Sequence, residues 1–125
     1  MNREHTPGFL ALVAEAKKGI REIDIEEYRR MRERGEKHLL IDVREDNEYA
    51  ASHAAGAKHL GRGIIERDIE TEVPDKSANM VLYCGGGYRS ALATANLVKM
   101  GYTRVLSLDG GWTAYEASGL PIEKD

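Results

Sequence analysis

The chain has 125 residues, 42% hydrophobic and 31% charged, with a net charge of −3. That is enough for one domain with its own core, and the slight acidity argues against nucleic acid as the main partner. One cysteine excludes an internal disulfide and gives no sign of an oxidising compartment, and no stretch approaches the roughly 20 apolar residues of a membrane helix.

In chain order, Gly8–Lys18 reads as a helix with Phe9, Leu12, Val13 and Ala16 on one face. It lacks a basic leader and a small-residue cleavage site, so it is not read as a signal peptide, and the expected compartment is the cytoplasm. Ile20–Ile23 is a short strand candidate. Asp24 caps a helix over Ile25–Arg34 that Gly35 ends. Its arginines alternate with Glu26, Glu27 and Glu33, the pattern of a solvated face. Leu39–Val43 is a continuous apolar run carrying Asp42, as in a strand buried on both faces. Asp46 is the expected cap of a helix over Asn47–Ala54. Lys58-His59-Leu60 is a weak strand candidate, and Ile64–Glu70 a short helix.

The stretch Met80–Ala91 organises the rest. Apolar Met80–Tyr83 leads into Cys84, three glycines follow, and a helix is expected from Arg89 or Ser90 to Met100. Arg104–Leu108 is the last predicted strand, Asp109-Gly110-Gly111 a turn, and Trp112–Ser118 the final helix. Strands alternating with helices predict an α/β domain with a mainly parallel sheet flanked by helices. In such a sheet the strand ends carrying Asp42, Cys84 and Asp109 share one edge, where sites of open α/β sheets lie.

A lone cysteine is more often a small buried hydrophobe. Here glycines and an arginine surround it, and a loop of glycines at a helix start aims N–H groups at one point. A thiol in such a cradle loses its proton more readily than a free cysteine. Cys84 is therefore read as a nucleophile, with Gly85, Gly86, Gly87, Tyr88 and Arg89 as its anion-binding surround. The spacing matches neither a Gly-x-x-x-x-Gly-Lys-Ser/Thr phosphate loop nor a dinucleotide fingerprint. His5, His38, His53 and His59 show no zinc spacing with the one cysteine, so no metal site is expected.

Taken together, Leu40-Ile41-Asp42-Val43-Arg44-Glu45 with Glu48-Tyr49, His53 with Gly56-Ala57 and Arg62-Gly63, Val81-Leu82-Tyr83-Cys84-Gly85-Gly86-Gly87-Tyr88-Arg89-Ser90-Ala91, and Leu108 with Gly110-Gly111-Trp112 and Gly119-Leu120-Pro121 resemble the single-domain rhodaneses, a sulfurtransferase family. Ala54-Ala55 departs from the Ile-Pro often found there. The resemblance spans roughly residues 20–122. It divides the chain into an N-terminal helical extension, 1–19, and a rhodanese-like domain, 20–125. It implies that Cys84 takes sulfur from a small-molecule donor such as thiosulfate, forms a persulfide, and passes the sulfur to cyanide or a thiol acceptor, with an acceptor protein as a further candidate partner and no cofactor. With no second cysteine, release must be to an external nucleophile.

Arg89 and Arg62 are the candidates for the donor's oxyanion. Asp42 and Arg44 are expected to shape the pocket rather than touch substrate, with Glu48 as a partner for Arg44. His53 is read as structural, Trp112 as packing for the last helix, and Tyr88 as either a pocket wall or a solvent-facing ring. Some family members that use thiosulfate carry basic residues just after the cysteine, and Gly85 and Gly86 offer none. Two alternatives remain: a persulfide carrier or binding module in a sulfur relay, and a cysteine-dependent phosphatase. Phosphatase loops are one residue longer between cysteine and arginine. Neither composition nor periodicity specifies an oligomeric state.

Overall fold

The computed structural model describes residues 5–124. Residues 1–4 of the N-terminal extension and residue 125 lie outside the described residues. Among the described residues the elements are, in order, α1 (Pro7–Lys17), β1 (Arg21–Ile23), α2 (Ile25–Glu33), β2 (Leu39–Asp42), α3 (Asp46–Ala51), β3 (His53–Ala54), β4 (Lys58–His59), α4 (Ile65–Glu72), β5 (Met80–Tyr83), α5 (Tyr88–Lys99), β6 (Val105–Leu108), α6 (Gly111–Ala117) and β7 (Ile122–Glu123).

Five strands form one parallel sheet in the order β1-β6-β5-β2-β4. Alternation along each strand sends successive side chains to opposite faces. Met80, Leu82 and Cys84 of the β5 line join Ile41 and Val43, Ile65 and Ile69 of α4, and Ala93 and Leu97 of α5 on one side. Val81 and Tyr83 join Leu40, Tyr28 and Met31 of α2, and Tyr115 of α6 on the other. Two apolar layers thus clamp the centre of the sheet, and β2, β5 and β6 are buried on both faces as their apolar runs require, while the edge strands β1 and β4 stay partly exposed.

Three local readings change. The helix expected over Asn47–Ala54 stops at Ala51, because His53 and Ala54 pair antiparallel with Glu123 and Ile122. This small second sheet depends on a segment far along the chain. The N-cap of α3 is Glu45 rather than Asp46, and the Glu45 N–H donates to Glu48 Oε1 at 2.9 Å. Along α1 only Val13 is buried, and Leu12 is 63% exposed. The helix packs mainly on α5, so one narrow strip is covered rather than the broad face the spacing suggests.

Candidate active site

β5 delivers Cys84 to the C-terminal edge of the sheet, on the α4/α5 side. The chain then turns through Gly85–Gly87 into α5, which begins at Tyr88, a residue earlier than the sequence suggests. Gly87 is the helix N-cap with φ +101°, a left-handed conformation that glycine adopts without strain. That turn points the Gly87 N–H at the thiol, 3.1 Å from Sγ. Behind the sulfur stands the Ser90 hydroxyl, 3.6 Å away, paired with the Ser107 hydroxyl of β6 at 2.8 Å. Cys84 is 1% exposed.

The carbonyl side of the loop faces the other way and is held by α6. The Trp112 N–H donates to the Cys84 carbonyl at 2.6 Å, and both the N–H and the hydroxyl of Thr113 donate to the Gly85 carbonyl at 3.2 Å. Amide donors that the start of a helix leaves unsatisfied are used here as clamps. The approach requires Gly111, at φ +49°, because a Cβ there would overlap the Cys84 carbonyl oxygen. The turn after β6 is therefore part of the cysteine loop's mounting.

Arg89, one residue into α5, forms a two-pronged ion pair with Glu48 of α3, Nη1–Oε1 2.9 Å and Nη2–Oε2 3.3 Å. The hydrogen bond from Arg89, against the opposing effect of burial, holds the Glu48 carboxyl below its ordinary range. The same bond, against the opposing effect of burial, holds the Arg89 guanidinium firmly protonated. A Cβ at Gly85 would stand 3.1 Å from Nη2, so the guanidinium lies directly over the loop.

Glu48 is thus the partner of Arg89, and Arg44 has Asp42 instead. The Asp42 carboxylate accepts from the Arg44 N–H at 2.8 Å, from its Nε at 3.1 Å and from its Nη2 at 2.8 Å, and also from the Tyr83 hydroxyl at 2.7 Å. Burial works against the Arg44 charge, and the Asp42 carboxylate overcomes it. Burial, then the Asp42 charge, push the Tyr83 phenol far above its usual value. The Arg44 guanidinium also covers the Trp112 ring at 4.6 Å and donates to the Ser52 carbonyl at 2.7 Å. This buried network joins β2, β5, the end of α3 and the start of α6 beneath the loop.

Two candidates are engaged by other groups. Arg62 Nη1 donates to Glu66 Oε2 at 2.8 Å, an oxygen that also accepts from Asn96 in the second half of α5 at 2.6 Å. Its Nε is buried without a hydrogen-bond partner among the described residues. The Tyr88 ring turns under α1, 4.4 Å from the His5 ring and 6.1 Å from Phe9, with Lys17 Nζ 5.6 Å from its centre. His53 stacks flat on Tyr49 at 3.7 Å and bonds its carbonyl through Nδ1 at 2.9 Å. Among the described residues no cluster of His, Cys, Asp or Glu is arranged to hold a metal ion.

A thiol at the rim of a parallel sheet, with an amide, a hydroxyl pair and an anchored arginine around it, defines a cysteine-centred α/β domain. The chain belongs to the rhodanese-like domain family, whose model matches residues 24–118. It is similar to a sulfurtransferase of Allochromatium vinosum, 38% identical over 103 residues, which covers 82% of this chain and 94% of that protein. It also resembles the thiosulfate sulfurtransferase GlpE of Actinobacillus pleuropneumoniae, 38% identical over 89 residues, 67% of this chain and 76% of that one. Among solved structures, a Rhodopseudomonas palustris protein of unknown function, described as a possible tyrosine phosphatase, superposes with a TM-score of 0.79 at 27% identity, covering 98% of this chain and 99% of that one. Among the described residues no helix is long and apolar enough to cross a membrane.

Proposed function

We propose that this protein is a rhodanese-like sulfurtransferase in which residues 20–125 carry the chemistry and Cys84 is the sulfur carrier. The thiolate attacks the outer sulfur of a sulfane donor such as thiosulfate. The donor's S–S bond breaks, sulfite leaves with the electron pair, and Cys84 becomes a persulfide. A thiol, or cyanide in an assay, then takes the outer sulfur, and the electron pair of the second S–S bond returns to Sγ. A cytoplasmic setting supplies such thiols and suits a protein with one cysteine.

The observation that carries this reading is the Gly87 N–H 3.1 Å from Sγ, in a loop with Arg89 pinned above it. Both favour an anion at the sulfur, and four residues between Cys84 and Arg89 make a ring smaller than a phosphoryl group needs. Arg89 holds the donor's oxyanion. Asp42 and Arg44 mount the loop. Arg62, drawn to Glu66, serves the donor less directly. Thiosulfate is a poor donor here, because Gly85 and Gly86 bring no cation of their own. The names of the two relatives above favour sulfur over phosphorus as the transferred element.

The experiment is intact mass. After incubation with thiosulfate or a polysulfide, the protein gains one sulfur, and cyanide removes it as thiocyanate. Cys84→Ala gains none. Hydrolysis of p-nitrophenyl phosphate with no sulfur adduct from either donor would establish the phosphatase alternative instead. An adduct that an acceptor protein strips faster than small thiols would identify a relay carrier.

A further inference from the structure

The mechanism above uses the amide and the arginine and leaves two buried hydroxyls unexplained. Ser107 interrupts an otherwise apolar strand, Val105-Leu106-Ser107-Leu108, and pairs in register with Leu82 of β5. Its side chain therefore faces the α5 layer, where Val105 two residues earlier is part of the core. Ser107 and Ser90 are both fully buried, and a buried hydroxyl without a partner is costly. Each has the other at 2.8 Å, and Ser90 also has Sγ at 3.6 Å. Among the described residues, Ser107 Oγ has Ser90 as its one hydrogen-bond partner.

The three atoms form a line, Sγ, Ser90 Oγ and Ser107 Oγ, with two gaps between them. With Cys84 as a thiol there are three protons for two gaps, so one donor is always left unused in a dry site. With Cys84 ionised there are two protons for two gaps. Ser107 then donates to Ser90, Ser90 donates to Sγ, and every donor is used. The hydroxyls keep their own protons throughout and only turn. Each bond polarises the next, so the Ser107 bond strengthens the one Ser90 makes to the anion.

We infer that Ser107 is a positioning residue that aims the Ser90 hydroxyl at Cys84 and so favours the anionic sulfur. Without Ser107, the Ser90 hydroxyl is free to turn to a carbonyl of the preceding turn, as helix serines commonly do. The inference rests on the sulfurtransferase reading for its purpose. The same anion is the attacking group in the first half-reaction and the leaving group in the second, when the persulfide bond breaks onto Sγ.

The test is the pH profile of Cys84 alkylation by iodoacetamide in the whole chain. Ser107→Ala is expected to slow alkylation at neutral pH by about three- to tenfold and to move the profile upward by about half to one unit. Ser90→Ala moves it at least as far. Adding Ser107→Ala to Ser90→Ala moves it no further, because Ser107 acts only through Ser90. A Ser107→Ala profile that superimposes on the unsubstituted one overturns the inference, as does an equal shift with and without the Ser90 hydroxyl. Alkylation needs no sulfur donor. A protein that takes no sulfur from thiosulfate or polysulfide would therefore sink the sulfurtransferase reading and leave this result standing, and the reverse also holds.

Discussion

The Arg89 guanidinium lies over Gly85 and is gripped from behind by the Glu48 carboxylate, at 2.9 and 3.3 Å. An arginine poised for an oxyanion is thus held by a fixed acid on a separate helix. Glu48 is itself fastened through the Glu45 N–H at 2.9 Å, so α3 sets the arginine's position. Replacing Glu48 by Gln should lower sulfur loading from an anionic donor by roughly threefold to tenfold, through lost orientation. Loading measured at several thiosulfate concentrations checks it.

The same pair has a pH signature. The Glu48 carboxyl lies below its ordinary value in the folded protein, chiefly through the Arg89 hydrogen bond. An unfolded glutamate titrates near about 4.3. The pair's contribution is therefore complete above that pH and is lost as pH falls through the lower folded value. With about a third of each side chain exposed, it is worth about 1 kcal/mol or less. Urea unfolding should show Glu48→Gln less stable at neutral pH, with the difference closing on the acid side of about pH 4.

Gly111→Ala should damage both stability and the site. Its φ of +49° disfavours any side chain, and the added carbon would overlap the Cys84 carbonyl. The conformational cost alone is about 1–2 kcal/mol, and the displaced loop adds to it. Chemical denaturation should show a loss above about 2 kcal/mol, together with slower Cys84 alkylation, since the loop that presents the Gly87 N–H must move. A neutral Gly111→Ala would mean that α6 does not mount the loop.

Asp42→Asn should be among the most destabilising single changes in the chain. It leaves the buried Arg44 charge, inside a site closed by Trp112 and Tyr83, without its counter-ion. Breaking one side of a buried pair costs about 3–5 kcal/mol. Tyr83→Phe removes a single donor to Asp42 and the acceptor for the Ala54 N–H, so its cost is smaller, about 1–3 kcal/mol. The order of the two in denaturant midpoints is the test.

Val13→Asp should lift α1 from α5 by placing a charge in the strip where that helix is buried. Tyr88 would then lose the Phe9 and His5 rings beside the glycine loop. The expected result is faster protease cleavage near residue 18 and faster reaction of Cys84 with a bulky maleimide, with the core fold retained. Unchanged maleimide kinetics would show that α1 does not guard the entrance.

The strand that carries Cys84, the glycine turn and the following helix were legible because their signals are local: an apolar run, three glycines, then a helical pattern. The alternation of strands and helices also reads directly from the sequence, since periods of two and of 3.6 residues are properties of neighbouring positions. The fold class follows from these, and the family resemblance from the motif residues around Asp42, His53, Cys84 and Gly110-Gly111. Only the folded chain pairs Glu48 with Arg89 rather than Arg44, because the choice depends on where α3 sits against α5, a contact spanning 41 residues. The antiparallel pairing of His53-Ala54 with Ile122-Glu123 is likewise invisible in either short segment. Ser90 and Ser107, 17 residues apart, become neighbours only when β6 lies beside β5. Local sequence therefore names the nucleophile and the turn that bears it, while long-range packing decides which charges and hydroxyls surround the sulfur, since backbone propensities carry no record of distant partners.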